Sequence, residues 1–213
     1  MSAELLILWR HGRTRSNAEG RFQGQIDIEL DDVGQAEADA AASALAELTG
    51  GDAARGRVRI VSSDLRRCTQ TARPLASRLG LTVDTDRALR ERSCGTWEGL
   101  LRAEVAEQHP QEYARWQSGE DLRIGGGESV ADAAARAGAA ITHHAELMDG
   151  GTLVVVSHGA AMRGAMAPMI GLDPGAYARV EVQRNAHWAV LRRRRDEWVL
   201  SAYNVGAPAR RDP

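Results

Sequence analysis

The chain of 213 residues contains no lysine, so all 27 of its Lys and Arg residues are arginines. Any anion site must therefore be built from guanidinium groups, histidine or backbone N–H groups, and arginine suits the bidentate grip of a phosphate. The formal net charge is only -2, so no overall field favours nucleic acid or an anionic membrane. We therefore expect no nucleic-acid partner and no membrane association.

Cysteine is also scarce, and long apolar runs are missing. Cys68 and Cys94 are far apart and lack metal-ligand spacing, which predicts two free thiols in a reducing cytoplasm, with a disulfide between them as the open alternative. No segment is long and apolar enough to cross a bilayer. The N-terminus lacks the basic region and the cleavage pattern of a signal peptide, so we predict a cytoplasmic protein.

Apolar runs of strand length alternate with helical patterns along the whole chain. This alternation predicts an α/β fold, a single three-layer α/β/α sandwich with a mostly parallel central sheet, formed by residues 1–213 as one domain. Strands are expected at the start of the chain and at 57–62, 81–83, 152–157 and, as two or three strands, 179–204. Helices are expected at 33–48, 66–79 with a kink or early break at Pro74, 100–108, 110–117, 130–148 and 159–170.

Two apolar strands that are far apart in sequence end in the same way, at His11-Gly12 and at His158-Gly159. The carboxyl ends of parallel strands meet at one rim of a sheet, where ligands bind. Two further rim positions carry Arg67 and the segment 90–92 (Arg-Glu-Arg). Arginines beside histidines would repel a cation, so this is not a metal site. The combination predicts a pocket for an oxyanion such as a phosphoryl group.

Phosphoryl transfer gives each of these residue types a role. A histidine on the pocket floor can attack phosphorus and form a phosphohistidine, which divides a difficult displacement into two steps. Glu91 is the available carboxyl group to protonate the leaving oxygen and then to activate water. Arg10 and Arg67 would neutralise the phosphoryl oxygens, and His158 would donate a further hydrogen bond.

Five short motifs occur in order along the chain. They are Arg10-His11-Gly12-x-Thr14-x-x-Asn17, Ser63-Asp64-Leu65-Arg66-Arg67-Cys68-x-Gln70-Thr71-Ala72, Leu89-Arg90-Glu91, Gly126-Gly127-Glu128-Ser129 and Ser157-His158-Gly159. Together they resemble the histidine phosphatase superfamily, which includes the cofactor-dependent phosphoglycerate mutases, over nearly the whole chain. Phe22-Gln23-Gly24-Gln25-x-Asp27 is similar to the family's loop beside the substrate.

The resemblance implies His11 as the nucleophile and Glu91 as the acid and base. It implies contacts to the phosphate from Arg10, Asn17, Arg67 and His158, contacts to the leaving group from Gln23 and Gly24, and no metal or other cofactor. Arg92, Arg123 and Arg163 are candidate contacts for a second anionic group, with solvated surface as the alternative for each. Cys68 occupies a position where alanine is usual, which should affect only packing.

The short sequence separation between Glu91 and His158 favours a phosphatase over a mutase. The mutases of the family carry a long insertion before the final Ser-His-Gly, whereas Glu91 and His158 are only 67 positions apart. The expected cap, roughly residues 92–128, is therefore short and admits water more easily. In detail the chain resembles actinobacterial phosphatases of glucosyl-3-phosphoglycerate, which implies a small phosphoester substrate and a homodimer. A mutase and a non-catalytic module that binds phosphorylated ligands are the alternatives.

Overall fold

The computed structural model describes residues 2–208 and contains one six-stranded sheet. Its strands are β1 (Leu5–Arg10), β2 (Val58–Ser62), β3 (Val83–Thr85), β4 (Thr152–Ser157), β5 (Trp188–Arg194) and β6 (Glu197–Val205). The spatial order is β3-β2-β4-β1-β5-β6. Strands β1 to β4 pair in parallel, and β5 and β6 complete the sheet as an antiparallel hairpin beside β1. The predicted mostly parallel α/β fold is confirmed.

Seven α-helices connect and cover these strands. They are α1 (Arg15–Glu19), α2 (Asp32–Ala53), α3 (Arg66–Leu79), α4 (Arg102–Gln108), α5 (Pro110–Gln117), α6 (Val130–Glu146) and α7 (Gly159–Met169), in the part of the chain that the structure describes. Within the same range, no helix combines the length and the apolar composition that crossing a membrane requires.

The sheet lies between two helical layers. Leu6 and Leu8 of β1 pack into a core with α6 and α7, whereas Ile7 and Trp9 pack on the other face with α2 and α3. A strand buried on both faces reads as a continuous apolar run, which is why β1 and β4 were visible in the sequence. Each fully buried side chain of this size stabilises the fold by about 1.5–3 kcal/mol.

Two helices differ from the sequence-based expectation. Helix α2 continues past the predicted end at residue 48, because Asp52 in its last turn is tied to the sheet by the Arg57 guanidinium (2.8 Å) and the Thr152 hydroxyl (2.7 Å). The early break expected at Pro74 was wrong, since α3 runs unbroken from Arg66 to Leu79. Burial of its apolar face against the sheet outweighs the backbone hydrogen bond that the proline removes.

A separate aromatic cluster consists of Phe22 and of residues between β3 and α6 in the chain. Its buried members are Cys94, Trp97, Val105 and Ile124, and Phe22, Leu100, Tyr113, Trp116 and Leu122 pack against them. The rings of Phe22 and Trp97 meet edge to face at a centroid distance of 5.2 Å. This cluster, which includes side chains of α4 and α5, forms one wall of the cavity described next.

Candidate active site

His11 follows the last residue of β1 and is almost fully buried, with 3% of its surface exposed. Its Nδ1 lies 2.7 Å from the carbonyl oxygen of Gly12. Because a carbonyl oxygen only accepts, Nδ1 carries the proton and Nε2 holds a free lone pair. Burial, followed by the guanidinium groups of Arg67 and Arg10, holds the pKa of His11 well below its usual value. The ring is therefore neutral and has the tautomer that a nucleophile at Nε2 requires.

The backbone approaches very closely beside this histidine. A Cβ atom at Gly12 would lie 2.4 Å from the carbonyl oxygen of Gly34, at the start of α2. The Gly12 N–H also donates to the Thr71 hydroxyl at 3.0 Å. Any side chain at position 12 would push the loop away from α2, so this glycine fixes where the His11 ring lies.

His158 lies beside His11 and is fully buried at the N-terminus of α7. The two ring centroids are 5.2 Å apart. Arg67 Nε donates to His158 Nδ1 at 3.2 Å, so the proton of this imidazole is on Nε2, which donates to the Ser63 hydroxyl at 3.0 Å. Burial and the charge of Arg67 lower its pKa well below the usual value. Because both nitrogens have protein partners, its donation to a phosphoryl oxygen stays a prediction.

Arg67 is fully buried and organises the loop at one side of the site. Besides His158, its guanidinium donates from Nη1 to the Ile26 carbonyl (2.7 Å) and from Nη2 to the Gly24 carbonyl (2.8 Å). Three of its five N–H groups are thus used, and two remain for a ligand. Gly24 has φ +48°, and a Cβ atom there would lie 2.1 Å from the Glu98 carboxylate, so the loop needs glycine at this position.

Glu91 is held by backbone N–H groups. Its carboxylate accepts from Ala160 (3.1 Å) and Ala161 (2.9 Å) in the first turn of α7, and from Arg92 (2.9 Å). A helix N-terminus is a favourable place for a negative charge. These three contacts fix the position of the carboxylate without a cation bound directly to it.

A cavity of about 440 Å³ brings most of the predicted site residues together. Six of the eight residues with an implied role line it, namely Arg10, His11, Gln23, Gly24, Arg67 and Glu91, and so does the candidate Arg92. His158 lies behind His11, outside the lining. Asn17 is also outside, and its Oδ1 accepts from the Thr14 and Asn185 side chains at 3.0 and 3.2 Å. Asn17 therefore braces the loop in this structure, and its contact with phosphate stays a prediction.

The three candidates for a second anionic group have different surroundings. Arg92 is buried and donates to the backbone carbonyls of Leu122 and Glu128, which ties the segment 122–128 to the cavity wall. Arg123 is a surface residue in an ion pair with Asp132 at 2.8 Å and does not line the cavity. Arg163 lines the cavity from α7.

Two residues that hold the site received no role from the sequence. Arg136 donates to the backbone carbonyl of Glu91 and forms an ion pair with Glu128 at 2.7 Å. The Asn185 amide donates to the carbonyls of His11 (3.1 Å) and Gly12 (3.3 Å). A signal for Asn185 did exist, because it lies three residues before the start of β5, whose antiparallel pairing brings that start to the end of β1.

Neither cysteine forms a disulfide, so the free-thiol prediction is confirmed. Burial raises the pKa of both thiols to about 12. The Cys68 Sγ lies 3.4 Å from His158 Nε2. Among residues 2–208, no group of three or more His, Cys, Asp or Glu side chains is placed to hold a metal ion.

Comparison with known proteins gives this arrangement a context. The family model of the histidine phosphatase superfamily (branch 1) matches residues 6–206. Glucosyl-3-phosphoglycerate phosphatase of Mycobacterium tuberculosis (strain ATCC 25618 / H37Rv) is 35% identical over 202 residues, which cover 90% of this chain and 86% of the relative. A probable phosphoglycerate mutase GpmB of Yersinia enterocolitica is 33% identical over 201 residues, covering 94% and 90%.

A solved structure agrees over nearly the full length. The mycobacterial glucosyl-3-phosphoglycerate phosphatase in complex with VO3 superposes with a TM-score of 0.82 at 32% identity, covering 96% of this chain and 100% of that chain. The order of the motifs, the fold and these relatives agree: the chain belongs to the histidine phosphatase superfamily.

Proposed function

We propose that the protein is a phosphomonoesterase that hydrolyses a small phosphorylated metabolite through a phosphohistidine on His11. One observation supports this above all others. The buried imidazole of His11 donates from Nδ1 to a carbonyl and leaves Nε2 unprotonated, in a cavity that Arg10, Arg67 and Glu91 also line. A neutral imidazole between guanidinium groups is suited to attack a phosphoryl group whose negative charge those groups offset.

In the first half-reaction, His11 Nε2 forms a bond to phosphorus as the ester P–O bond breaks. The phosphoryl oxygens lie against the guanidinium groups of Arg10 and Arg67, which balance the charge that develops on them. The reactive form of the substrate complex has Glu91 as a protonated carboxyl group, which gives its proton to the departing oxygen, so the product leaves as a neutral alcohol.

In the second half-reaction, water hydrolyses the phosphohistidine. The carboxylate of Glu91 takes a proton from the water as its oxygen bonds to phosphorus and the P–N bond breaks. Inorganic phosphate leaves, and His11 and Glu91 return to their starting protonation states. No step requires a metal ion, so we expect EDTA to leave the rate unchanged, and a loss restored by a divalent ion would refute this mechanism.

For the substrate, we propose a phosphorylated glycerate or sugar acid, with glucosyl-3-phosphoglycerate as the leading candidate. The similarity to the mycobacterial phosphatases that carry this name supports the choice. A screen of phosphate release across sugar phosphates, phosphoglycerates and glucosyl-3-phosphoglycerate tests it. A preference for simple sugar phosphates without an acid group would contradict this substrate class.

The mutase alternative is less favoured. The segment between Glu91 and Ser129 contains the short helices α4 and α5, two single-turn 3-10 helices and their connecting loops, which is little for shielding a phosphohistidine from water. Incubation with 3-phosphoglycerate and a bisphosphoglycerate primer distinguishes the two activities. We expect free phosphate to appear faster than 2-phosphoglycerate, and the opposite order would favour the mutase.

A non-catalytic module that only binds phosphorylated ligands is the other alternative. The joint presence of His11, Arg67, Glu91 and His158 argues against it. We expect rapid hydrolysis of para-nitrophenyl phosphate and, after rapid quenching with a radiolabelled substrate, an acid-labile phosphoenzyme. His11→Ala should remove both signals, whereas the exposed His143→Ala should keep both. The absence of turnover with every phosphoester would overturn the proposal.

The role of Glu91 is tested by the leaving group. Glu91→Gln should slow an alkyl phosphate by about 10²-fold or more, because its poor leaving group needs a proton. Hydrolysis of para-nitrophenyl phosphate should slow much less, since nitrophenolate leaves without one. Equal slowing of both esters would contradict the acid role.

Three broader features complete the proposal. We propose that residues 1–213 form one domain in which roughly 92–128 are the cap, that the protein is cytoplasmic, and that it forms a homodimer. Light scattering after size-exclusion chromatography tests the last point, and a monomer at micromolar concentration would contradict it.

A further inference from the structure

The cavity carries more positive charge than a phosphoryl group alone requires. Five arginines and two glutamates line it, a difference of three positive charges while its histidine is neutral. One of the glutamates, Glu120, also forms an ion pair with Arg115 outside the lining. A phosphoryl group brings about -1.5 to -2 at neutral pH, so roughly one positive charge remains for a second anionic group.

The five arginines differ in how many of their donors are already used. Arg67 donates three hydrogen bonds to protein acceptors, and Arg92 donates two. Arg21 donates to Glu19 and to the Gly99 carbonyl. The remaining two, Arg10 and Arg163, donate one bond each within residues 2–208, and both have a buried Nε without a partner.

Of these last two, Arg10 is assigned to the phosphoryl oxygens, whereas Arg163 has no part in the proposed phosphoryl chemistry. It lies on α7, two and three residues after Ala161 and Ala160, whose N–H groups hold Glu91. Since a helix rises about 1.5 Å per residue, this places Arg163 within one turn of the acid that contacts the leaving group.

Two contacts restrict how the Arg163 side chain lies. Its Nη1 donates to the Val180 carbonyl at 3.1 Å, and its Cζ lies 5.3 Å from the centroid of the Tyr177 ring. Tyr177 lines the cavity too. An arginine stacked on an aromatic ring keeps its edge free for hydrogen bonds, and unused N–H groups of a guanidinium suit the planar geometry of a carboxylate.

We infer that Arg163 binds a carboxylate on the leaving-group part of the substrate and thereby sets a preference for phosphorylated acids. The inference rests on the proposed phosphatase function and adds a residue to it. Among the three candidates from the sequence, Arg123 lies outside the cavity and Arg92 has two of its donors tied to backbone carbonyls, while Arg163 retains most of its own.

Two substrates that differ in one group test the inference. 3-Phosphoglycerate carries a carboxylate where glycerol 3-phosphate carries a hydroxymethyl group. We expect wild-type kcat/KM to be about tenfold or more higher for the acid. Arg163→Met should remove most of that preference by lowering kcat/KM for 3-phosphoglycerate alone, with glycerol 3-phosphate and para-nitrophenyl phosphate changed less than about twofold. Arg163→Lys should restore part of the preference through its charge.

The matched control is Arg123→Met, which removes an exposed arginine outside the cavity and should leave the preference intact. Equal losses of kcat/KM for all three substrates in Arg163→Met would show a purely structural role and overturn the inference. A wild-type enzyme with no preference for the acid would overturn it even if no variant folds. Failure to hydrolyse para-nitrophenyl phosphate would instead refute the proposed function itself.

Discussion

The ends of β1 and β4 are alike in sequence and different in chemistry. Both are buried strands followed by His-Gly, and the imidazoles of His11 and His158 pack 5.2 Å apart. A carbonyl oxygen contacts Nδ1 of His11, whereas the guanidinium of Arg67 contacts Nδ1 of His158. An acceptor and a donor at the same ring atom select opposite tautomers.

The consequence is a division of roles between two identical side chains. His11 keeps an unprotonated Nε2 in the cavity, whereas His158 has both nitrogens occupied and fixes the orientation of Arg67 from behind. The partner of Nδ1 thus distinguishes His11, the proposed nucleophile, from His158, whose contact with Arg67 is distant in sequence. Matched substitutions of the two histidines test whether their roles differ in this way.

The largest expected effect is on catalysis. His11→Ala should lower kcat/KM for para-nitrophenyl phosphate on the order of 10⁴-fold or more, because the nucleophile is lost. His158→Ala should cost about 10²-fold, because Arg67 loses its acceptor while Nε2 of His11 remains. Steady-state kinetics together with rapid quenching measure both variants.

The quench experiment gives the sharper distinction. His158→Ala should still form a phosphoenzyme, and His11→Ala should form none. A phosphoenzyme in His11→Ala, or equal losses of kcat/KM in the two variants, would contradict the assigned roles.

A smaller effect is expected on the pH dependence of the free energy of unfolding. Both imidazoles are buried neutral, with pKa values well below the usual one of about 6.5 that the unfolded chain should show. Below that pH the unfolded state binds protons that the folded state refuses. The free energy of unfolding should therefore fall on acidification, by up to about 1.4 kcal/mol per pH unit for each histidine, until the folded pKa is reached.

Urea unfolding at pH 7, 6 and 5 measures this slope. His11→Asn and His158→Asn should each flatten it below pH 6.5, because each removes one buried imidazole. The exposed His143→Asn is the matched control and should leave the slope near that of the wild type. If neither buried variant changed the slope, the neutral burial of these rings would be refuted.

The ends of β1 and β4 also show which parts of the fold and of the site could be predicted from the sequence. Apolar runs revealed β1, β4 and their histidines, because strands buried on both faces leave a pattern that is local. The prediction that α3 breaks early at Pro74 was wrong, because packing of the helix against the sheet outweighs the local tendency of proline to end a helix. The sequence indicated at most that Asn185 lies near the end of β1, and the hydrogen-bond partners of Asn185 and Arg136 were not predictable, because these bonds join segments 174 and 45 positions apart.

The number of unused N–H donors on each arginine also could not be predicted from the sequence. Nothing in the sequence distinguishes Arg92 from Arg163, because both follow a motif residue by a few positions. Only the tertiary structure shows that two of the donors of Arg92 are used on carbonyls of the segment 122–128. Arginines can thus be located in a site from the sequence, but which of them remain free for a ligand depends on carbonyls far away in the chain.

The smallest expected effect concerns Cys68, whose Sγ lies 3.4 Å from His158 Nε2. That nitrogen already donates to the Ser63 hydroxyl at 3.0 Å, and a thiol pKa raised to about 12 keeps the sulfur uncharged. Cys68→Ala should therefore change kcat/KM less than about threefold and the free energy of unfolding by about 1 kcal/mol. Cys94→Ala is the matched variant away from His158. A tenfold loss in Cys68→Ala alone would show that the sulfur, and not only Arg67 and Ser63, orients the second histidine.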